Sequence, residues 1–234
     1  MLPLCGRTNN ESTWAHMDMT QPFASGSFKT VYRGKYADGD RQGKPCVLKL
    51  FRSGCVFQER YFAHEAQVVG RALAIVDEFN TTDINQGHGQ VWVNVPSLWT
   101  VQAGFGRPPG ELALVEPYIA NIAKFNSNTG WTNNSRNHCK WLQSLSHFSY
   151  HMSHRCVLLC DLQGGVYSRG VVLTDPVIMS PSRKYGPTDL GDLGISTFFA
   201  HHTCTSYCDP NWLTPRDKNK YFTPVPGSTM QLLP

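Results

Sequence analysis

Apolar and polar positions alternate from Phe28 to Arg33, with Phe28, Thr30 and Tyr32 on one face and Lys29, Val31 and Arg33 on the other. That period predicts a strand behind a small-residue turn at Ser25-Gly26, whose bare backbone at Gly26 suits a phosphate. PCVLKLF, from Pro45 to Phe51, predicts a second strand and sets Lys49 on the face shared by Val47 and Phe51. A lysine on an apolar strand face must snorkel out or meet an anion. From Phe57 to Phe79 the period becomes helical, with Tyr61, Phe62, Val68, Val69, Ala72 and Val76 on one stripe and Glu65 among them. The strand lysine and the helix acid are natural ion-pair partners. Val91 to Leu98 is a single apolar run among loop residues, and Leu112 to Ile119 predicts a further strand with Glu116 near its end. Ser135 to His154 predicts a second helix striped by Trp141, Leu142, Leu145, Phe148 and Met152, with His147, His151 and His154 on the other flank. Residues 1–20 and 214–234 lack any period and are expected to be a flexible lead-in and a flexible tail.

Between these elements lies LCDLQGGVYSRGVVLTDP, Leu159 to Pro176, around which the chemistry is expected to centre. Two apolar runs suit the strands of a hairpin, with Gly164-Gly165 suited to the turn. Pairing about Ser168 brings Asp161 opposite Asp175. Two carboxylates and the Gln163 carbonyl form a hard oxygen site of the kind Mg²⁺ takes when a phosphate completes its shell. Glu116, at a strand end, suits a hinge where it or its neighbouring backbone meets an adenine edge.

The apolar content of 41% among 234 residues is that of a globular chain, long enough for one large domain or two lobes. The net charge of +4 comes from scattered Lys and Arg, so no nucleic-acid groove is indicated. No stretch has the ~18 apolar residues of a membrane span and the opening residues lack a signal-peptide core, which makes the cytoplasm the default location. Eight cysteines in so long a chain point to thiols and a metal site rather than a disulfide framework. His202, Cys204 and Cys208 fall within seven residues, the donor softness that tetrahedral Zn²⁺ requires. The fourth ligand is open among His147, His201, Cys156 and Cys160. Just before them Gly186, Gly191 and Gly194 are expected to make a flexible glycine loop.

PFASGSFKTVYRG, PCVLKLF, LVEPYI, KFNSNTG, SLSHFSY, DLQGG, LTDP, YGPTDLG and HHTCTSYC occur here in one order. In that order the chain resembles the alpha-kinases, the atypical protein kinases that include myosin heavy chain kinases, elongation factor 2 kinase and TRP-channel kinases. The resemblance runs from about Pro22 to Leu213. It implies an α+β, two-lobed protein-kinase-like fold over residues 21–213. The antiparallel-sheet N-lobe would cover about 21–115 and a zinc-stabilised C-lobe about 116–213, with ATP between them. It also implies transfer of the ATP γ-phosphate to Ser or Thr, with Thr often favoured, of a protein substrate that is often helical at the acceptor.

By the same resemblance Lys49 touches ATP phosphates, Glu116 is the hinge acid near adenine, and Asp161 is the catalytic aspartate. Gln163 and Asp175 help Asp161 place Mg²⁺ and phosphate, and His147 becomes the fourth zinc ligand. Two departures stand out: the segment between DLQG and LTDP is a few residues longer than is usual in the family, and the glycine loop fits less closely. The alternative is a zinc-stabilised pseudokinase that binds peptides.

Overall fold

Residues 12–26, 28–52, 58–85, 87–102 and 109–231 are described by a computed structural model of the protein. Strands β1 (Ala15–Asp18), β2 (Ala24–Ser25), β3 (Lys29–Tyr36) and β4 (Pro45–Phe51) precede helix α1 (Gln58–Asn80). Strands β5 (Gln90–Val93), β6 (Ser97–Thr100), β7 (Leu112–Pro117) and β8 (Ala123–Lys124) lead to α2 (Asn137–Met152). Strands β9 (Leu158–Cys160), β10 (Gln163–Tyr167), β11 (Gly170–Leu173) and β12 (Val177–Met179) then precede α3 (Gly191–His201). The chain divides into two compact units: residues 1–63 with 94–120, and residues 64–93 with 121–234.

The first unit is an antiparallel sheet in the order β1-β3-β4-β7-β6, with β2 also on β3. β4 lies inside it, which is why PCVLKLF is buried at every residue after Pro45. One face packs Tyr32, Tyr36, Cys46, Leu48, Leu50, Ala113 and Val115 together. Phe51 and Leu114 meet Tyr61 and Phe62 from the start of α1, and the Phe51 and Phe62 ring centroids are 5.0 Å apart, edge to face. The expected lead-in already contains β1, whose register pairs Ala15 with Tyr36. Asp38 fastens its start by accepting hydrogen bonds from the Thr13 and Trp14 N–H groups at 2.8 and 3.0 Å.

The second unit holds a four-stranded sheet, β5-β11-β10-β8, and the pair β9-β12. Only β5 and β11 run parallel in that sheet. The apolar run Val91 to Leu98 is therefore not one strand. It breaks at Asn94, so that β5 joins β11 in the second unit while β6 joins β7 in the first. Pro96 has no N–H to continue a ladder, which is consistent with the break.

α2 is buried along nearly its whole length, and His147, on the flank away from the apolar stripe, is 1% exposed. Trp141, in its second turn, packs against Phe79 of α1 at 5.9 Å and stacks with His88 at 5.2 Å. Residues 214–231, expected to be a flexible tail, form no helix or strand but are hydrogen-bonded to the second unit. Ser196 Oγ and Thr197 Oγ1 of α3 accept from the Asn219 and Tyr221 N–H groups at 2.8 and 2.9 Å.

Candidate active site and metal centre

The hairpin expected from Leu159 to Pro176 is present, in two pieces of one register. Cys160 faces Val177 in the β9-β12 pair, and Gly164 faces Leu173 in the β10-β11 pair. Its turn is at Ser168-Arg169, whereas the glycines expected to form the turn lie in β10. Gly164 is needed there for a different reason. A Cβ at that position would collide with the Val172 carbonyl of the paired strand.

Between the two pieces the ladder is interrupted on both sides, at Asp161 and at Asp175. Both residues have left-handed backbone, with φ of 59° and 47°. Few non-glycine residues adopt this conformation, and Asp is among those that tolerate it best. The common register brings the two acids within one residue of facing each other, one residue away from the direct opposition expected from pairing about Ser168.

Asp161 is 1% exposed. Its Oδ2 is 2.8 Å from Lys124 Nζ and accepts a hydrogen bond from Ser228 Oγ at 2.5 Å. Its Oδ1 is buried and has no hydrogen-bond partner among the described residues. A buried carboxylate oxygen with nothing to accept from is costly, and such an atom fits a cation or a donor brought in by a ligand. Lys124 also reaches Gln163 Oε1 at 3.3 Å, because β8 pairs with β10 and sets Lys124 directly opposite Gln163.

The next residues of the KFNSNTG segment hold the backbone beside Asp161. Asn126 is fully buried and accepts from the Leu162 N–H at 2.8 Å. It donates to Gln143 Oε1 at 2.9 Å and to Ser146 Oγ at 3.0 Å, both on α2. A satisfied buried network of this kind fixes one geometry. Lys124 and Asn126 were not among the site residues expected from sequence, because a polar loop carries no periodic signal. Only the register of β8 on β10 reveals them.

In the first unit, Lys49 Nζ is 2.6 Å from Glu116 Oε1, with both side chains about 5–6% exposed. The register that aligns Lys49 with Leu114 and Val47 with Glu116 brings the two groups together diagonally across β4 and β7. Glu116, expected near adenine, thus holds the phosphate-binding candidate Lys49. Glu65, the helix acid expected beside that lysine, is half-buried on α1. The tip of the β2-β3 hairpin is not bare at Gly26, whose N–H donates to the Lys29 carbonyl at 2.9 Å.

The glycine loop also takes a different form. Gly191 and Gly194 belong to α3, so the loop ends at Leu190. It wraps the buried Asp189, which accepts from the N–H groups of Ser180 (2.9 Å), Tyr185 (3.3 Å) and Gly191 (3.0 Å) and from Ser180 Oγ (2.7 Å). Desolvation raises the Asp189 carboxyl above its usual range, and these donors only partly oppose the effect. Gly186, with φ of +94°, permits the turn.

The fourth member of the His/Cys cluster is His147. The ligand atoms of His147, His202, Cys204 and Cys208 lie within 4.8 Å of one another. Cys204 Sγ is 3.6 Å from His147 Nδ1 and 3.7 Å from His202 Nε2, and Cys208 Sγ is 3.7 Å from His202 Nε2. Tetrahedral Zn²⁺ with ordinary Zn–N and Zn–S bonds separates its N and S ligands by about 3.5 Å, so the donor set fits. His147 Nε2 donates to the Leu213 carbonyl at 3.1 Å, which leaves Nδ1 as the coordinating lone pair. Burial depresses both His147 and His202 to about 4 and raises the Cys208 thiol to about 11. The imidazoles are thus neutral and ready to ligate, while a metal would have to displace the thiol proton. His151 accepts from the Leu213 N–H at 3.2 Å.

A six-stranded antiparallel unit carrying a buried Lys–Glu pair, and an α+β unit carrying a carboxylate site and a His/Cys cluster, define a protein of atypical-kinase type. The chain belongs to the alpha-kinase family, whose model matches residues 24–208. It is 30% identical over 211 residues to alpha-protein kinase vwkA of Dictyostelium discoideum, covering 88% of this chain and 32% of that protein. It is 32% identical over 233 residues to human transient receptor potential cation channel subfamily M member 6, covering 94% of this chain and 10% of that protein. The chain therefore spans a third or less of the length of these relatives.

Among solved structures, an alpha kinase from Entamoeba histolytica matches with a TM-score of 0.73 at 21% identity, covering 93% of this chain and 85% of that one. The alpha-kinase domain of myosin heavy chain kinase A in complex with AMPPCP matches with a TM-score of 0.69 at 20% identity, covering 83% and 85%. These neighbours share the antiparallel-sheet, mixed α+β architecture expected from the sequence. Among the described residues, no helix is long and apolar enough to cross a membrane.

Proposed function

We propose that the protein is an alpha-type protein serine/threonine kinase, transferring the γ-phosphate of ATP to Ser or Thr, with Thr favoured, of a protein substrate. The observation that carries this reading is Asp161. It is a buried carboxylate with one oxygen engaged by a lysine and the other unpartnered, on a left-handed interruption of the hairpin, in a chain of this family.

Phosphoryl transfer asks a protein mainly to position the reactants and neutralise charge. Lys49, steadied by Glu116, would hold ATP phosphates. Asp161 would orient the acceptor hydroxyl and take its proton, while Lys124 offsets the carboxylate charge. Asp161 Oδ1, Gln163 and Asp175 are the oxygens we assign to Mg²⁺, which supplies further neutralisation of the phosphates when bound. Gly26, with its N–H already engaged, is assigned contact with the nucleotide only through its lack of a side chain. Gly186, Gly191 and Gly194 are assigned the shaping of the Asp189 turn.

His147, His202, Cys204 and Cys208 would hold structural Zn²⁺, which as a closed four-ligand site ties α2 to the segment after α3. The site lies within a cytoplasmic chain in this reading, and its partners are ATP and protein rather than nucleic acid or membrane.

The test is transfer of labelled γ-phosphate from ATP and Mg²⁺ to a Thr-containing peptide by wild type and Asp161→Asn. Loss of transfer in a folded variant supports the assignment. Retained transfer overturns Asp161, and no transfer by zinc-loaded, folded wild type that still binds peptide favours a pseudokinase.

A further inference from the structure

Apart from Lys124, the group described on Asp161 is one of the chain's own hydroxyls. Ser228 Oγ donates to Asp161 Oδ2 at 2.5 Å, across 67 residues of sequence. This is the contact that a phosphate acceptor makes with a catalytic base. It is held from both sides. Upstream, Thr129 Oγ1 accepts from the Val225 N–H at 3.0 Å and donates to the Val225 carbonyl at 3.2 Å. Downstream, Asn128 accepts from the Thr229 N–H at 2.9 Å and donates to the Thr229 carbonyl at 2.7 Å. Gln231 N–H then donates to the Pro187 carbonyl at 2.9 Å.

Asn128 thus engages the main chain of Thr229 as a neighbouring strand would, and Thr129 does the same at Val225. Extended-peptide recognition works in this way, with main-chain bonds setting register and one side chain entering the site. The side chain delivered here is a serine, and Gly227 before it is exposed, with open space where a Cβ would sit.

We propose that Ser228 is a phosphorylation site of this protein, modified in cis by its own Asp161 centre. This inference rests on the kinase reading. In the transfer step, Ser228 Oγ forms a bond to the γ-phosphorus of ATP and the bond from that phosphorus to the β,γ-bridging oxygen breaks. ADP leaves with the electron pair, and the hydroxyl proton passes to Asp161 Oδ2. The product carries a charge near −2 beside a buried carboxylate whose described cation is the single Lys124 ammonium. Phosphorylation therefore expels residues 225–231 and opens the acceptor position to other substrates.

The experiment incubates the full, zinc-loaded chain with ATP and Mg²⁺ over a hundredfold range of protein concentration, and maps phosphate by peptide mass spectrometry. A Thr-containing peptide is assayed in parallel. The expected result is phosphate on Ser228 at a first-order rate independent of protein concentration, absent in Asp161→Asn. Ser228→Ala, which cannot expel the segment by phosphorylation, should phosphorylate the added peptide more slowly than wild type already modified at Ser228, and Asn128→Ala should slow Ser228 modification by about tenfold, as expected for the loss of paired hydrogen bonds. An unmodified Ser228 in a chain that phosphorylates the peptide overturns this inference and leaves the kinase reading intact. So does modification confined to Thr229, or a rate proportional to protein concentration. Failure to phosphorylate either acceptor overturns the kinase reading itself.

Discussion

Replacing Lys49 by Met tests the buried ion pair that organises the first unit. The pair is 2.6 Å long and both side chains are about 5–6% exposed. At an effective dielectric of about 20, two unit charges at that separation attract by about 6 kcal/mol, much of which only offsets the cost of removing both from water. The consequential number is therefore the cost of leaving one partner behind, about 3–5 kcal/mol for a buried pair. Lys49→Met keeps the length and apolar stem of the side chain but removes the cation 2.6 Å from the buried Glu116 carboxylate. Glu116→Gln removes the anion beside the buried ammonium in the same way, whereas the double variant removes both charges and retains the shape. Urea unfolding of the zinc-loaded chain should show each single variant destabilised by about 3 kcal/mol or more, and the double variant by markedly less than their sum. Only Glu116→Gln should keep measurable transfer, with a raised KM for ATP, since Lys49 is retained but less firmly held. Single variants within about 1 kcal/mol of wild type, or strict additivity in the double variant, would refute the pair as a structural unit.

Removal of zinc with a chelator, or Cys204→Ser, should melt the second unit rather than merely slow transfer; metal analysis finding no zinc in a fully folded chain would refute the assignment. Gly164→Ala should destabilise by about 1–3 kcal/mol, because its Cβ collides with the Val172 carbonyl, which is backbone and cannot swing away. A neutral effect in thermal unfolding would mean that β10 and β11 are not paired as described. Asn126→Leu should cost about 2–4 kcal/mol, since it leaves the buried Leu162 N–H, Gln143 and Ser146 short of partners. Hydrogen exchange at Leu162 unchanged in that variant would show the network to be dispensable.

Local pattern determined much of this protein in advance. The strand Pro45–Phe51 has the bounds its alternation predicts, α1 ends one residue beyond the predicted Phe79, and His202, Cys204 and Cys208 are read from spacing alone. The nearness of Asp161 and Asp175 also follows from sequence, to within one residue, because a hairpin's register is a sum of residue numbers that holds along its whole length. Family likeness added His147, which periodicity places only on the unstriped flank of α2.

Tertiary structure decided the partners. Lys49 meets Glu116 because β4 pairs with β7, and Lys124 meets Asp161 because β8 pairs with β10. Neither pairing leaves a trace in either segment taken alone. The apolar run Val91 to Leu98 reads as one strand because burial looks the same whichever sheet provides it, yet it serves two sheets in two units. Most of all, nothing in the aperiodic PVPGSTM segment signals that Ser228 reaches Asp161. Periodicity reports which face of an element is buried, whereas a hydrogen bond made by an irregular segment depends on where the distant chain has already been folded.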